Sequence, residues 1–284
     1  MMKNPLVLQT DFGLSDGAVN AMYGVSISVD PNLKIYDLTH DIPPFNIWDA
    51  SYRLSQTIDY WPEGTIFISV VDPGVGTDRL SVVAKTKSNH YIVTPNNGTL
   101  THIADRIGIT EVRIIDEKVN RLPRSGESYT FHGRDVYAYT GARLAAGNIN
   151  YEGVGPSIDI SEIITLPLPG SSSENGIILG NIDILDVRFG NLWTNIDRQM
   201  FIQEGYFYGD WVEVSIENER KKKYQNHILF GRSFAETRLG EPLLFVNSLD
   251  KLAVAINQGS FANAYQIETG SDWRIYITKS KQKN

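Results

Sequence analysis

The stretch Val70–Arg79 combines residue types that suit a small-molecule site. It reads Val-Val-Asp-Pro-Gly-Val-Gly-Thr-Asp-Arg and overlaps the end of an apolar, strand-like run, Thr65–Val71. Asp72 is therefore expected at the carboxyl end of a strand, the edge at which open α/β sheets bind their ligands. A carboxylate, two glycines that let the backbone approach a ligand, and Arg79 form a compact set of binding groups. The alternative is a strand that ends in an ordinary solvated turn, and this stretch alone does not decide between the two.

Further carboxylates are expected at strand ends in the first half of the chain. Asp11 and Asp16 follow the strand-like segment Leu6–Thr10, and Asp37 and Asp41 lie at the end of the next such segment. Clustered carboxylates can hold Mg²⁺ for a phosphohydrolase, or they can bind the hydroxyls and ammonium group of an organic ligand. Few lysines accompany them, so the charge balance favours an organic cation over a phosphate.

His132 lies in the segment Phe131-His-Gly-Arg-Asp135, just before a helix rich in small residues. A histidine in this position can be held by local hydrogen bonds or can be catalytic. The five histidines show no metal-binding spacing and the chain has no cysteine, so a zinc site has little support. Walker A and Gly-x-Ser-x-Gly motifs are also absent from the sequence.

The second half of the chain carries aromatic and amide groups around a glycine. In the segment 186–195, Trp193 and Asn191 can stack on and hydrogen-bond a planar heterocycle such as adenine. The alternative is a β-bulge with a packed tryptophan. The segment 247–257, which contains Ser248 and Ile256, is either part of the same site or a hairpin without a binding role.

Two domains are predicted to position these residues. Strand-like and helical segments alternate in residues 1–165, which predicts a layered α/β domain with a largely parallel sheet. Within it, apolar residues spaced three and four apart from Ile47 to Trp61 predict a helix packed on the core. Glycine, proline and serine accumulate at 150–176 and indicate a linker. Short alternating strands in residues 166–284 predict a small barrel or sandwich.

Composition restricts the class of protein. The 284 residues carry a formal net charge of −7, which argues against a general nucleic-acid binder. The cationic run Arg220–Lys223 is interpreted as a solvated hairpin tip. The sequence shows neither a signal peptide nor an apolar run of membrane-spanning length, so we expect a cytoplasmic protein without a membrane partner.

Together these segments resemble the S-adenosyl-L-methionine (SAM) hydroxide adenosyltransferases, the SAM hydrolases related to the halogenating fluorinase and chlorinase. The matching blocks occur in family order and extend over nearly the whole chain: Thr10–Gly13, Val71–Arg79, Phe131–Asp135, Phe189–Asn195 and Asn247–Asn257.

The resemblance implies an N-terminal α/β domain, a C-terminal β-barrel, and a homotrimer whose active sites lie between subunits. It also implies that water attacks C5′ of the SAM ribose and releases L-methionine and adenosine, without a cofactor or metal. The roles that it implies are as follows: Asp72, Arg79 and His132 position and activate the water, Asp11 binds the ribose hydroxyls, Asn191 and the Ile256 backbone bind the adenine side, and Asp16, Asp186 and Ser248 bind the methionine end.

Two positions favour hydrolysis over halogenation. The halogenating relatives have Tyr at the position of Asp72, and the fluorinase has Thr at that of Val75. A carboxylate at position 72 would repel a halide ion.

One position departs from the family pattern, because many members have Glu where this chain has Ala253. This departure keeps open a second hypothesis, a SAM- or adenosine-binding sensor with negligible turnover; a magnesium-dependent phosphohydrolase ranks third.

Overall fold

The computed structural model describes residues 3–127, 129–219 and 221–280. These residues divide into two compact units, of which the first ends at Leu166 and the second begins at Pro167. Of the predicted hairpin tip, Arg220 lies outside the described residues, whereas Lys221–Lys223 are exposed at the start of a strand. No helix of the described residues is both long and apolar enough to cross a membrane.

The first unit is built on a seven-stranded sheet. Its strands are β1 (Leu6–Thr10), β2 (Ile35–Thr39), β3 (Ile66–Val70), β4 (Ser81–Thr86), β5 (Tyr91–Pro95), β6 (Ile109–Ile114) and β7 (Ser157–Ile158). The spatial order is β2-β1-β3-β5-β4-β6-β7. The pairs from β2 to β5 are parallel, and those from β5 to β7 are antiparallel.

Helices connect and cover these strands. They are α1 (Ala18–Val29), α2 (Ile47–Thr57), α3 (Thr101–Arg106), α4 (Glu117–Asn120), a π-helix (Gly133–Ala138) and α5 (Tyr139–Ala146), with 3-10 turns at Ile58–Tyr60, Glu152–Val154 and Ile160–Glu162. Helix α2 buries Ala50 and Leu54, and Ile58 is buried in the turn that follows it. The helical spacing of apolar residues thus produces the packed face that it predicts.

Strand register brings the ends of β1 and β3 together. Both strands are fully buried and mostly apolar, as parallel strands covered on two faces usually are. Leu6 pairs with Ile66 and Thr10 with Val70, so the two strands end side by side. The segments that contain Asp11 and Asp72 therefore leave the sheet at the same edge.

The second unit is a closed barrel. Its strands are β8 (Ser172–Glu174), β9 (Ile177–Asp186), β10 (Asn191–Asp197), β11 (Trp211–Asn218), β12 (Lys221–Phe230), β13 (Pro242–Val246), β14 (Lys251–Ile256) and β15 (Trp273–Lys279), and its helices are α6 (Arg198–Gln203) and α7 (Phe261–Tyr265), with a 3-10 turn at Phe234–Glu236. Seven strands follow the order β10-β14-β13-β12-β11-β15-β9, and pairing of β9 with β10 closes the ring. The short strand β8 pairs with β9 outside it.

Period-two alternation fills the barrel interior. Val212, Val214 and Ile216 of β11 belong to one buried cluster, and the residues between them are less buried or exposed. The predicted fold class, a layered α/β domain followed by a β-barrel domain, is confirmed. Closure of the strands decides the choice between barrel and sandwich.

Candidate active site

A buried ion pair joins Asp72 and Arg79 in the loop after β3. The Nε–H of Arg79 donates to Asp72 Oδ1 over 2.7 Å, and its Nη2 donates to Asp72 Oδ2. The side chains of Asp72 and Arg79 are only 5% and 10% exposed. A two-bond pair of this kind fixes the orientation of both groups. The loop is stabilised from the neighbouring segment, because Asn97 Nδ2 donates to the backbone carbonyl of Val71 over 2.9 Å.

Arg79 is also linked to His132. Its Nη2 lies 3.2 Å from His132 Nδ1, and because a guanidinium only donates, Nδ1 is the acceptor. The proton of the neutral imidazole is therefore on Nε2. That buried atom has no hydrogen-bond partner among the described residues. Burial lowers the pKa of His132 below its usual value, with a further lowering by Arg79 and an opposing effect from Glu117, so the ring is neutral near pH 7.

Two residues that the sequence analysis does not single out restrain the guanidinium. Arg79 Nη1 donates to Ser81 Oγ over 2.9 Å, and Ser81 Oγ is 3.1 Å from the hydroxyl of Tyr137. The ring of Tyr137 lies under the guanidinium carbon at 5.6 Å, close enough for a cation–π contact. Burial raises the pKa of Tyr137, so its hydroxyl stays protonated. The sequence signal for Ser81 is its place at the start of β4, two residues after Arg79.

Asp11, Asp72 and His132 line one cavity of about 280 Å³ in the first unit. Phe12, Phe45 and Val75 are among its other walls. Asp11 is held in place there by the loop after β2, since the Phe45 amide donates to Asp11 Oδ2 over 2.8 Å. Carboxylate, imidazole and aromatic groups thus share a small, partly apolar cavity.

Asp16 lies outside this arrangement. Its Oδ1 accepts from the Ala18 amide over 2.8 Å at the start of α1, and it lines neither this cavity nor the one described next. Its predicted role at the methionine end stays a prediction.

A larger cavity of about 950 Å³ lies in the second unit. It is lined by all of the predicted binding residues of this unit, namely Asp186, Asn191, Trp193, Ser248 and Ile256. Arg232, Phe234 and Phe245, which the sequence analysis does not identify, also line it. Aromatic rings together with amide, hydroxyl and carboxylate groups suit a ligand that has a heterocycle at one end and charges at the other.

The turn between β9 and β10 sets the polar wall of this cavity. Gly190 has φ +68° and packs against Ser260, and a side chain there would collide with Ser260. Its amide donates to the carbonyl of Asp186 over 2.6 Å. Beyond it, Asn191 Nδ2 donates to Asp186 Oδ2 over 3.3 Å. The Phe-Gly-Asn segment is therefore a tight turn that presents the amide and the carboxylate on one wall.

Ala253 lies on β14 between Trp193 and Phe245, two residues that line the larger cavity. It is fully buried and is in register with Trp193 on one side and with Phe245 on the other. Trp193 Nε1 is buried without a hydrogen-bond partner among the described residues. No carboxylate occupies position 253, which is the departure noted in the sequence.

Within the parts of the chain that the structure describes, no group of three or more His, Cys, Asp or Glu side chains is arranged to hold a metal ion. Each compact unit thus has a cavity: a small one beside buried charged groups in the α/β unit, and a larger one lined by aromatic and polar groups in the β-barrel unit.

The chain belongs to the SAM hydroxide adenosyltransferase family. Residues 6–155 match the sequence model of the family's N-terminal domain, and residues 180–274 match that of its C-terminal domain. The resemblance inferred from the sequence is thereby confirmed.

Individual relatives agree with this assignment. The chain is 35% identical over 218 residues to the (R)-S-adenosyl-L-methionine hydrolase of Methanocaldococcus jannaschii, covering 75% of this chain and 74% of that protein. It is 26% identical over 294 residues to the fluorinase of Actinopolyspora mzabensis, covering 95% and 96%. The crystal structure of an uncharacterized conserved protein from Thermotoga maritima superposes with a TM-score of 0.86 at 32% identity, covering 96% of this chain and all of that one.

Proposed function

We propose that this protein hydrolyses SAM to adenosine and L-methionine. Water forms a bond to C5′ of the ribose, the C5′–S bond breaks with its electron pair remaining on sulfur, and the water loses one proton. The observation that carries the proposal is the buried Asp72–Arg79–His132 group beside a small cavity, in a chain that matches both domains of the family.

The residue types fit the demands of this reaction. A sulfonium already carries positive charge and leaves as a neutral thioether, so the reaction needs neither an acid at sulfur nor a metal. The difficulty is to hold one water in line with the C–S bond and partly deprotonated. Asp72 supplies a carboxylate that orients the water or accepts its proton, and Arg79 favours hydroxide character nearby. The Nε2–H of His132, which lacks a partner, is the donor that we assign to the same water.

Water is favoured over halide by two residues that line the first cavity, Asp72 and Val75. The carboxylate of Asp72 repels an anion. The side chain of Val75 offers no hydrogen-bond donor to a halide ion. The proposal is therefore hydrolysis rather than halogenation, although the relatives include fluorinases.

We propose further that the protein is a homotrimer and that the second unit of one subunit completes the site on the first unit of another. The groups for the water and the ribose line one cavity, and those for the adenine line the other. Exposed apolar side chains lie in or beside the cavity-lining segments of each unit, Leu14 and Phe45 in the first and Val187 and Phe189 in the second. Exposed apolar groups at such positions are typical of association surfaces.

The decisive experiment is incubation with SAM in oxygen-18 water. The 5′-hydroxyl of adenosine should carry one labelled oxygen, and excess EDTA should not change the rate. Absence of adenosine, or adenosine without label, would refute the reaction.

Subunit complementation tests the shared site. Asp72→Asn disables the first unit and Asn191→Ala weakens the second, so mixed trimers of the two variants should recover activity that neither has alone. Light scattering should give a trimer mass. A monomer with full activity would refute the shared site.

Ala253 supports the sensor as a second candidate, because the position that many relatives fill with Glu is apolar and fully buried here. A sensor would bind adenosine tightly by calorimetry and release no methionine from SAM. The cytoplasmic location stays a prediction.

A further inference from the structure

A chain of hydrogen bonds runs from helix α1 to the loop that carries Asp11. The Tyr23 hydroxyl contacts Asp37 Oδ1, which is 2.8 Å from His40 Nε2. The other ring nitrogen of His40, Nδ1, is 2.8 Å from Thr10 Oγ1. Thr10 Oγ1 in turn accepts from the amide of Phe12 over 3.2 Å.

Simple chemistry gives the direction of the two hydrogen bonds to Asp37. Burial, with an added effect of Asp37, raises the pKa of Tyr23, so its hydroxyl donates to the carboxylate. A carboxylate only accepts, so His40 Nε2 carries a proton and donates to Asp37, while Nδ1 and the Thr10 hydroxyl share a second hydrogen bond. Thr10 Oγ1 is then left with a lone pair for the Phe12 amide. Thr10 and His40 are buried, so the bond between them is shielded from water, whereas the Asp37 carboxylate is exposed.

The chain ends on both sides of Asp11. Thr10 precedes it, and the amide of Phe12 follows it. The next amide, that of Gly13, donates to the backbone carbonyl of His40 over 2.8 Å. His40 therefore stabilises the loop through its ring and through its carbonyl, and the catalytic machinery described above uses neither.

We propose that His40 is the positioning residue for Asp11: its imidazole, held by Asp37, fixes the loop that presents the Asp11 carboxylate to the ribose hydroxyls of the substrate. The inference rests on the proposed function for its ligand, a ribonucleoside, and goes beyond it by assigning a role to Thr10, His40, Asp37 and Tyr23. His40 itself touches no substrate.

The test uses His40→Asn and a matched control, His90→Asn. His90 is equally buried and also bonded through both ring nitrogens, to Ser88 and to the Trp61 carbonyl. It differs in position, because it directly precedes β5 and so lies at the sheet edge opposite the strand ends that carry the site. Both variants should lose similar thermal stability. Only the His40 variant should lose recognition of the ribose.

The readout is the ratio of the affinities for adenosine and 2′-deoxyadenosine, measured by calorimetry. A hydrogen bond to a charged group that is held in place discriminates by about 10–100-fold. We expect Asp11→Ala to abolish this preference, His40→Asn to reduce it about tenfold, and the double variant to show no further loss beyond Asp11→Ala. His90→Asn should keep the wild-type ratio.

The inference is overturned if His40→Asn keeps the wild-type ratio, if His90→Asn loses it equally, or if wild-type protein does not prefer the ribonucleoside. Because calorimetry measures binding without turnover, these outcomes are separate from a failure of hydrolysis. Wild-type protein that prefers adenosine but leaves SAM intact would refute the hydrolase and leave the role of His40 standing.

Discussion

Replacing Asp72 by Asn tests the electrostatic core of the candidate site. The substitution keeps the side-chain size and one acceptor oxygen but removes the charge that faces Arg79, whose Nε lies 2.7 Å from Asp72 Oδ1. Because Arg79 is only 10% exposed, its guanidinium is left buried without a counter-ion. We expect a loss of stability and of activity, for separate reasons.

The size of the stability loss follows from the burial of the pair. Two charge centres roughly 4 Å apart attract by about 4 kcal/mol at an effective dielectric constant of about 20, and removing one partner of a buried pair costs about 3–5 kcal/mol. Ser81 and His132 still accept hydrogen bonds from Arg79, so we expect the lower end, about 3 kcal/mol. The control is Glu111→Gln, which breaks the more exposed pair with Arg113 and should cost less than about 1 kcal/mol.

Urea denaturation followed by circular dichroism measures the free energies of unfolding, and chromatography of adenosine measures turnover. Loss of the group that orients the water should slow turnover by about 100-fold or more. The double variant Asp72→Asn/Arg79→Met removes both charges, so stability should return toward the wild-type value while turnover stays low.

The reasoning fails if Asp72→Asn is as stable as Glu111→Gln, because the pair would then contribute no buried electrostatic energy. It also fails if the double variant turns over SAM at the wild-type rate.

Three further predictions concern single side chains. Burial lowers the pKa of His102 to about 4. Between about pH 6.5 and 4 the unfolded chain takes up a proton that the folded chain does not, so stability should fall by about 3 kcal/mol with acidification. Denaturation at a series of pH values should show a smaller fall in the free energy of unfolding for His102→Asn. Gly190→Ala should lower stability and adenosine affinity, since its Cβ would lie 2.8 Å from Ser260 Cβ. Gly209→Ala, which also has a positive φ but open space, should lose stability only through the backbone strain common to both variants and should leave adenosine affinity unchanged. Ser81→Ala should lower kcat about tenfold with little change in KM, because it removes a hydrogen bond to the Arg79 guanidinium, and steady-state kinetics separates the two constants.

The sequence predicts those parts of the fold that depend on local pattern. The apolar run before Asp72 forms the buried strand β3, and the turn-rich segment after it ends that strand as the prolines and glycines require. Parallel pairing then brings Asp11 and Asp72 to one edge, which the alternation of strands and helices already indicates.

The spatial order of the strands is not a local property. Strand β5 pairs with β3, whereas β4, which precedes β5 in the chain, lies beyond it and runs antiparallel to both of its neighbours. Short strands of similar composition satisfy several orders equally well, so the pattern identifies the strands but does not arrange them. The antiparallel half of the sheet is therefore the part that the sequence pattern does not predict.

Supporting side chains escape prediction for a different reason. Ser81 and Tyr137 are 56 positions apart in the chain, and no spacing rule joins a serine at a strand start to a tyrosine in a π-helix. Only packing places the hydroxyl of Tyr137 on Ser81 and its ring beneath Arg79. The residues that act on a substrate are recognisable by type, whereas those that hold them are recognisable only by contact.

The group to which we assign activation of the water, Asp72, Arg79 and His132, lies wholly within the first unit. Arg79 bonds to Asp72, to His132 and to Ser81 within that unit, so the geometry of the group exists before a ligand arrives. Electrostatic groups that are fixed in advance pay no reorganisation during the reaction. In the trimer that we propose, a unit from another subunit would then contribute substrate binding and exclusion of water rather than catalytic geometry, and substitutions at positions such as 72 and 75 would change the nucleophile without changing the architecture.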